Sequence, residues 1–269
     1  MDFSLPTQRI LDLADPADER LADFRNLTDA DVRPDRRGIV IAEGVNVVQR
    51  LARSSYRMRA IVGVPGKLAE LAPMLAEVGC PVYRVDKWTL SDLVGFRVTR
   101  GVLASADRPV AVPATELLDR GSRFVVCEAI NDFENLGSIF RNCAAFGIDG
   151  VLLDPRCADP LYRRSVRVSM GNVFGLGFAV LPGSWPDSLQ LLADRGIELL
   201  ALTPRPAAEP LFAVRPAGSW AVLLGAEGSG LTEPALARAD RWVRIPMADG
   251  VDSLNVATAG AVALARLTQ

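Results

Sequence analysis

Two C-terminal stretches decide the fold: Trp220-Ala-Val-Leu-Leu-Gly-Ala-Glu-Gly-Ser-Gly-Leu231, then Trp242-Val-Arg-Ile-Pro-Met-Ala-Asp-Gly-Val-Asp-Ser-Leu-Asn255. Each starts as a short apolar run and passes into a glycine-rich or polar loop. The second leads into an alanine-rich helix over 256–267. A short, continuous apolar run is how a strand reads when a parallel sheet is covered on both faces. Residues 124–130, 150–153, 176–181 and 197–202 read the same way, with helices expected over 136–146 and 188–195. The C-terminal half is therefore expected to be α/β with a parallel sheet. Gly225-x-x-Gly-x-Gly lets backbone approach a ligand, since glycine has no Cβ, although a tight turn uses the same residues. It is not GxGxxG, and no carboxylate follows about twenty residues on, which disfavours a dinucleotide fold.

Ninety residues upstream stands Asn135-Leu-Gly-Ser-Ile-Phe-Arg141, running on to Ala145-Phe-Gly147. Ile139, Phe140, Cys143 and Ala144 form a helical apolar stripe, and Gly147 sits where a C-terminal cap belongs. Asn135 falls at or near the N-cap, and Arg141 lies off the stripe. Taken alone, the block needs no more than a capping Asn and a solvated Arg. Ser253 or Asn255 likewise suits the cap of the final helix.

In this order and at these separations, the three blocks resemble the motifs of the SpoU (TrmH) family of RNA 2′-O-ribose methyltransferases, part of the SPOUT superfamily. The resemblance covers residues 120–269 with specific motifs and 36–105 more loosely. It implies that Asn135 and Arg141 lie at the RNA site, where Arg141 holds phosphate and helps activate the ribose hydroxyl. It implies that backbone groups of Gly225, Ile245 and Leu254 hold S-adenosyl-L-methionine, with Thr203 as a further wall of that pocket. Ser253 and Asn255 would line the catalytic pocket, and Glu227 would order the loops or the RNA site. A homodimer with active sites near the subunit interface is implied as well. So is a trefoil knot threaded by the C-terminal helix, which is a rare exception to chain topology.

A looser match is Arg163-Arg-Ser-Val-Arg-Val-Ser-Met-Gly171, where Arg167 and Ser169 fit a basic segment of the family. Arg163, Arg164 and Arg167 are RNA-binding candidates on this account, beside Arg36 and Arg37; an exposed basic helix is the plain alternative. Asp132-Phe-Glu134 departs from the small or proline-like residues often found before the motif Asn. Gly175-Leu-Gly-Phe178 replaces a more usual proline-containing strand entry. Both border the RNA side and bear on substrate choice.

Upstream, residues 10–27 read as an acidic helix pointed by Leu11, Leu13, Leu21, Phe24 and Leu27. A βαβα rhythm follows, with strands 38–42, 59–64 and 81–85 and helices 45–52, 67–77 (broken at Pro73) and 87–94. Its opening, a strand ending in Glu43-Gly44, is similar to the ribosomal-protein-like domain that precedes many SpoU-type catalytic domains. The expected organisation is an acidic extension over 1–30, an RNA-binding α/β domain over 31–105, a linker over 106–121 and the methyltransferase domain over 122–269.

Composition narrows the chemistry. The 269 residues include no histidine, which removes Ser-His-Asp hydrolysis, histidine bases and Cys/His zinc sites. Cys80, Cys127, Cys143 and Cys157 lack CxxC spacing and read as reduced thiols of a cytoplasmic protein. No apolar run of about 18 residues exists to span a membrane. No metal is expected. The net charge of −2 hides an uneven distribution: residues 1–31 hold three basic and eight acidic side chains, residues 32–110 thirteen and seven. Basic islands of this kind suit phosphate contacts, though they also occur as solvated faces. The expected function is ribose methylation of structured RNA, with ribosomal RNA ahead of tRNA because of the added N-terminal domain. A non-catalytic RNA-binding or ribosome-assembly factor with the same fold is the alternative.

Overall fold

The computed structural model describes residues 10–28 and 37–269. Arg36 and the expected boundary at residue 30 lie outside the described residues. The chain divides into two compact units: one runs to Val110 and also takes in 161–175, the other holds 111–160 and 176–269.

The first unit is built on a five-stranded sheet of β1 (Ile10–Asp12), β2 (Ile39–Glu43), β3 (Met58–Gly63), β4 (Val82–Arg84) and β5 (Val102–Asp107), in the order β1-β4-β3-β5-β2. Strand β5 runs antiparallel to both neighbours, and the other pairs are parallel. Its helices are α1 (Val45–Ala52), α2 (Pro65–Glu70), α3 (Ala72–Leu75) and α4 (Lys87–Val94). The acidic helix expected over 10–27 does not form. Pro16 lacks an amide donor and would obstruct a helix at its middle. Ile10 and Leu11 pair instead with Val82 and Tyr83, and a 3-10 turn spans Glu19–Phe24, capped by Asp18. Strand β5 went unread because Ala104-Ser-Ala106 carries no β-branched or aromatic signal. Those three small residues are fully buried between β2 and β3.

Residues 161–175, expected within the methyltransferase domain, pack in this first unit. Their helix α7 (Arg163–Val168) lies against β2. Arg163 pairs with the buried Glu43 at 2.8 Å and covers the Phe96 ring at 4.4 Å. The Arg50 guanidinium also caps the Met170 carbonyl.

The second unit carries a seven-stranded parallel sheet. Its strands are β6 (Arg123–Cys127), β7 (Gly150–Leu153), β8 (Gly177–Val180), β9 (Glu198–Leu202), β10 (Glu209–Pro210), β11 (Trp220–Leu224) and β12 (Arg241–Arg244), ordered β10-β12-β9-β11-β6-β7-β8. Helices α5 (Ala114–Asp119), α6 (Phe133–Ala145), α8 (Gln190–Ala193), α9 (Glu233–Leu236) and α10 (Val256–Leu267) accompany it. Segment 106–121 is not a free linker: it finishes β5 and then forms α5, whose Leu117 and Leu118 join the core of this unit. Strand β6 stops at Cys127, short of Ile130, because Ala129 takes φ 52° and turns the chain out of the ladder. Among the described residues no helix is long and apolar enough to cross a membrane.

Candidate active site

Strands β12, β9 and β11 are neighbours and parallel, so the loops leaving their C-terminal ends emerge together. In open parallel sheets this edge is where ligands bind. The three loops enclose a cleft of about 510 Å³, within the range of small-molecule sites. Leu202, Leu224, Leu231 and Ile245 give it apolar walls. Thr203, Gly225, Glu227, Ser253, Leu254 and Asn255 also line it. Among the lining residues only Glu227 and Arg205 are charged.

Gly225 is required by the loop itself. A Cβ there would come within 2.5 Å of the backbone of Gly230 and Leu231. Ala226 and Gly230 form an isolated bridge across the turn, and Gly228 and Gly230 hold positive φ angles of 78° and 67°. The tight turn read from the sequence is present, and its residues line the cleft.

A polar cluster at the cleft is assembled from three segments, of which Glu227 and Asn255 line the cleft. Asn255 caps α10, its Oδ1 accepting the amides of Ala257 and Thr258 at 3.0 and 3.1 Å. Its Nδ2 donates to Asn135 Oδ1 and to Glu227 Oε1, both at 2.8 Å. Asn135 is not the N-cap of α6. Asp132 takes that place, with Oδ1 accepting from the amides of Glu134 and Asn135 at 2.9 and 2.8 Å. That leaves the Asn135 side chain free to reach α10. Seven residues on, on the same face of α6, Asn142 Nδ2 donates to the Ala257 carbonyl at 2.9 Å. Sequence reading missed Asn142, and its i+7 spacing from Asn135 was the available signal.

Arg141 is exposed on α6, outside the cleft lining and outside this hydrogen-bond network. Arg205 was also missed. Its guanidinium sits 5.2 Å over the Trp242 ring and holds Glu233 below the usual carboxylate range. Of the basic candidates, Arg164 is exposed and Arg167 half-buried. Arg163 does not offer a free cation, and Arg37 is half-buried. The first is spent on Glu43, and the second donates to the carbonyls of Ala22 and Arg25 at 2.9 and 3.2 Å. No cluster of three or more metal-ligating side chains occurs among the described residues.

Residues 122–265 match the sequence profile of the SpoU rRNA Methylase family. Over 267 residues the chain is 47% identical to an uncharacterized tRNA/rRNA methyltransferase of Mycobacterium tuberculosis, spanning 97% of this chain and 92% of the relative. A tRNA/rRNA methyltransferase of Synechocystis is 35% identical over 170 residues, 60% of this chain and 61% of its own. Among solved structures, an AdoMet-bound rRNA methyltransferase from Sinorhizobium meliloti superposes with a TM-score of 0.79 at 23% identity, over 96% of this chain and 97% of that one. The SpoU methyltransferase AviRb from Streptomyces viridochromogenes gives 0.77 at 23% identity, over 93% and 96%. The chain belongs to the SpoU rRNA Methylase family. Its parallel sheet has the fold of those methyltransferase structures.

Proposed function

We propose that the protein is an S-adenosyl-L-methionine-dependent RNA methyltransferase that modifies a ribose 2′-oxygen, with ribosomal RNA ahead of tRNA as substrate. The observation that carries the reading is the convergence of Glu227 and Asn255, which line the three-loop cleft, with Asn135 of α6 on the same Asn255 amide. The names of the relatives support the RNA class. The cleft fits the cofactor by its volume, its apolar walls and its carboxylate, which suits a nucleoside bearing a cationic sulfur. Backbone groups of Gly225, Ile245 and Leu254, with Thr203 behind them, would hold it. When bound, it supplies an electrophilic methyl group on a sulfonium.

The protein's own share is alignment and handling of the hydroxyl proton. Asn255 fixes Glu227 and Asn135 as one polar surface, and Ser253 borders it. Arg141 would hold an RNA phosphate and favour ionisation of the ribose hydroxyl by its charge. Arginine side chains stay protonated, so Arg141 acts as a fixed cation and not as a base. Arg164 and Arg167 are read as phosphate contacts. The reading carries with it a cytoplasmic homodimer and a knotted C-terminal helix.

Titration calorimetry with S-adenosylmethionine tests the cleft. Wild-type protein is expected to bind and Gly225→Ala to lose affinity. A Gly225→Ala protein that binds as wild type contradicts the assignment.

A further inference from the structure

Glu128 is an acid set at the end of the apolar run that forms β6, and it is 1% exposed. Four donors from three other segments converge on its carboxylate. Trp185 Nε1 at 2.6 Å, Thr232 Oγ1 at 2.7 Å and an Arg156 guanidinium nitrogen at 3.3 Å reach Oε1. The Thr232 amide reaches Oε2 at 3.0 Å. The backbone of Glu128 adds a fifth tie, its amide donating to the Leu224 carbonyl at 2.8 Å. Next along, Ala129 holds a left-handed conformation uncommon for a residue with a Cβ. Its amide donates at 3.0 Å to Asp154, a second acid 1% exposed, and Arg156 bridges the two acids.

Leu224 immediately precedes Gly225, and Thr232 immediately follows Leu231. The Glu128 backbone therefore meets one end of the 225–231 loop and its carboxylate holds the other, yet it does not line the cleft. Burying a carboxylate carries a desolvation cost that only well-placed donors offset. Joining two strands would not need it, since the β6–β11 ladder already does so from Trp220↔Arg123 to Leu224↔Cys127.

We propose that Glu128 is a positioning residue. Through Thr232 its carboxylate sets the end of the 225–231 loop and so the placement of Glu227 against Asn255 and Asn135. The claim concerns the ligand-free protein, and only its second readout rests on the proposed cofactor site.

The test compares four variants by hydrogen exchange of the loop and by cofactor titration. Glu128→Gln removes the charge, and Thr232→Val removes one donor. Thr232→Ser restores the hydroxyl. Asp149→Asn is the control at the opposite end of the same sheet, where Asp149 Oδ2 accepts the Ser122 and Arg123 amides at 2.8 and 3.0 Å. Exchange at the Gly230 amide, bonded to Ala226 O at 3.0 Å, is expected to rise roughly tenfold in Glu128→Gln and Thr232→Val. Thr232→Ser and Asp149→Asn should stay near wild type. S-adenosylmethionine Kd should rise by a similar factor in the first pair alone. Wild-type protection in Glu128→Gln and Thr232→Val would overturn the proposal, as would an equal loss in an Asp149→Asn protein of matched melting temperature. If wild-type protein binds no S-adenosylmethionine, the functional reading fails, and loop exchange still decides the role of Glu128.

Discussion

Asn255 Nδ2 stands 2.8 Å from Asn135 Oδ1, joining the start of the last helix to a helix 120 residues earlier in the chain. The same nitrogen is 2.8 Å from Glu227, and the side-chain oxygen caps α10. One amide group thus performs two separable tasks. Aspartate caps a helix as well as asparagine but cannot donate. Asn255→Asp keeps the cap but sets a second carboxylate against Glu227 at an exposed site. Its stability is therefore expected to stay within about 1 kcal/mol of wild type, while methyl transfer falls by roughly a hundredfold. Asn255→Ala also loses the cap and should cost about 1 kcal/mol of stability. Thermal melts alongside single-turnover assays separate the two, and an active Asn255→Asp protein would refute the shared polar cluster.

Arg141 is the opposite case, an exposed side chain tied into no part of the cleft. Arg141→Ala should change stability by no more than about 0.5 kcal/mol and leave cofactor binding intact. Methyl transfer is expected to fall by roughly a hundredfold. Near-normal turnover would remove Arg141 from the account.

Arg163 and Arg164 are adjacent in sequence and opposite in prediction. Arg163→Ala leaves the Glu43 carboxylate buried without its partner, a change that costs about 3 kcal/mol. Arg164→Ala should leave stability alone, lower RNA affinity and reduce the salt slope of binding by about one. Denaturant melts and salt-dependent filter binding read the two effects. Equal destabilisation by both changes would contradict the assignment.

Burial pushes the Cys157 thiol up to about 12, and Cys80, Cys127 and Cys143 are raised by the same cause. At pH 8 the thiolate fraction at Cys157 is then about 10⁻⁴, and thiolate is the reactive form. Native protein should resist iodoacetamide at that pH, while protein in guanidinium labels at all four positions. Because these folded-state values lie above the ordinary 9.0, the thiols' contribution to stability is full below pH 9 and is lost as pH rises beyond it. Rapid native labelling of any of the four would contradict the burial.

Much of this was legible in the sequence because the second unit obeys local rules. Trp220–Leu224 and Val256–Leu267 form as their apolar patterns dictate, and the glycines of 225–230 mark a turn in which a Cβ at Gly225 would collide and Gly228 and Gly230 hold positive φ. Failures came where tertiary context overrode local signal. Strand β1 hid inside a leucine pattern, and β5 has at its centre three small residues, Ala104 to Ala106, that only a crowded sheet interior favours. The 161–175 segment looked like part of the domain around it, since its ties to Glu43 and β2 lie more than a hundred residues away. Arg163 looked available for phosphate because sequence shows charge and not the partner that consumes it.

The central claim is methylation at a ribose oxygen, and the most direct measurement is nucleoside mass spectrometry after methyl transfer. Purified protein and labelled S-adenosylmethionine would be incubated separately with tRNA, 16S RNA and 23S RNA from a strain lacking this gene. The account predicts a single new 2′-O-methylnucleoside, with ribosomal RNA the favoured fraction. Label appearing only on a base, or in no fraction while the cofactor binds, would contradict it.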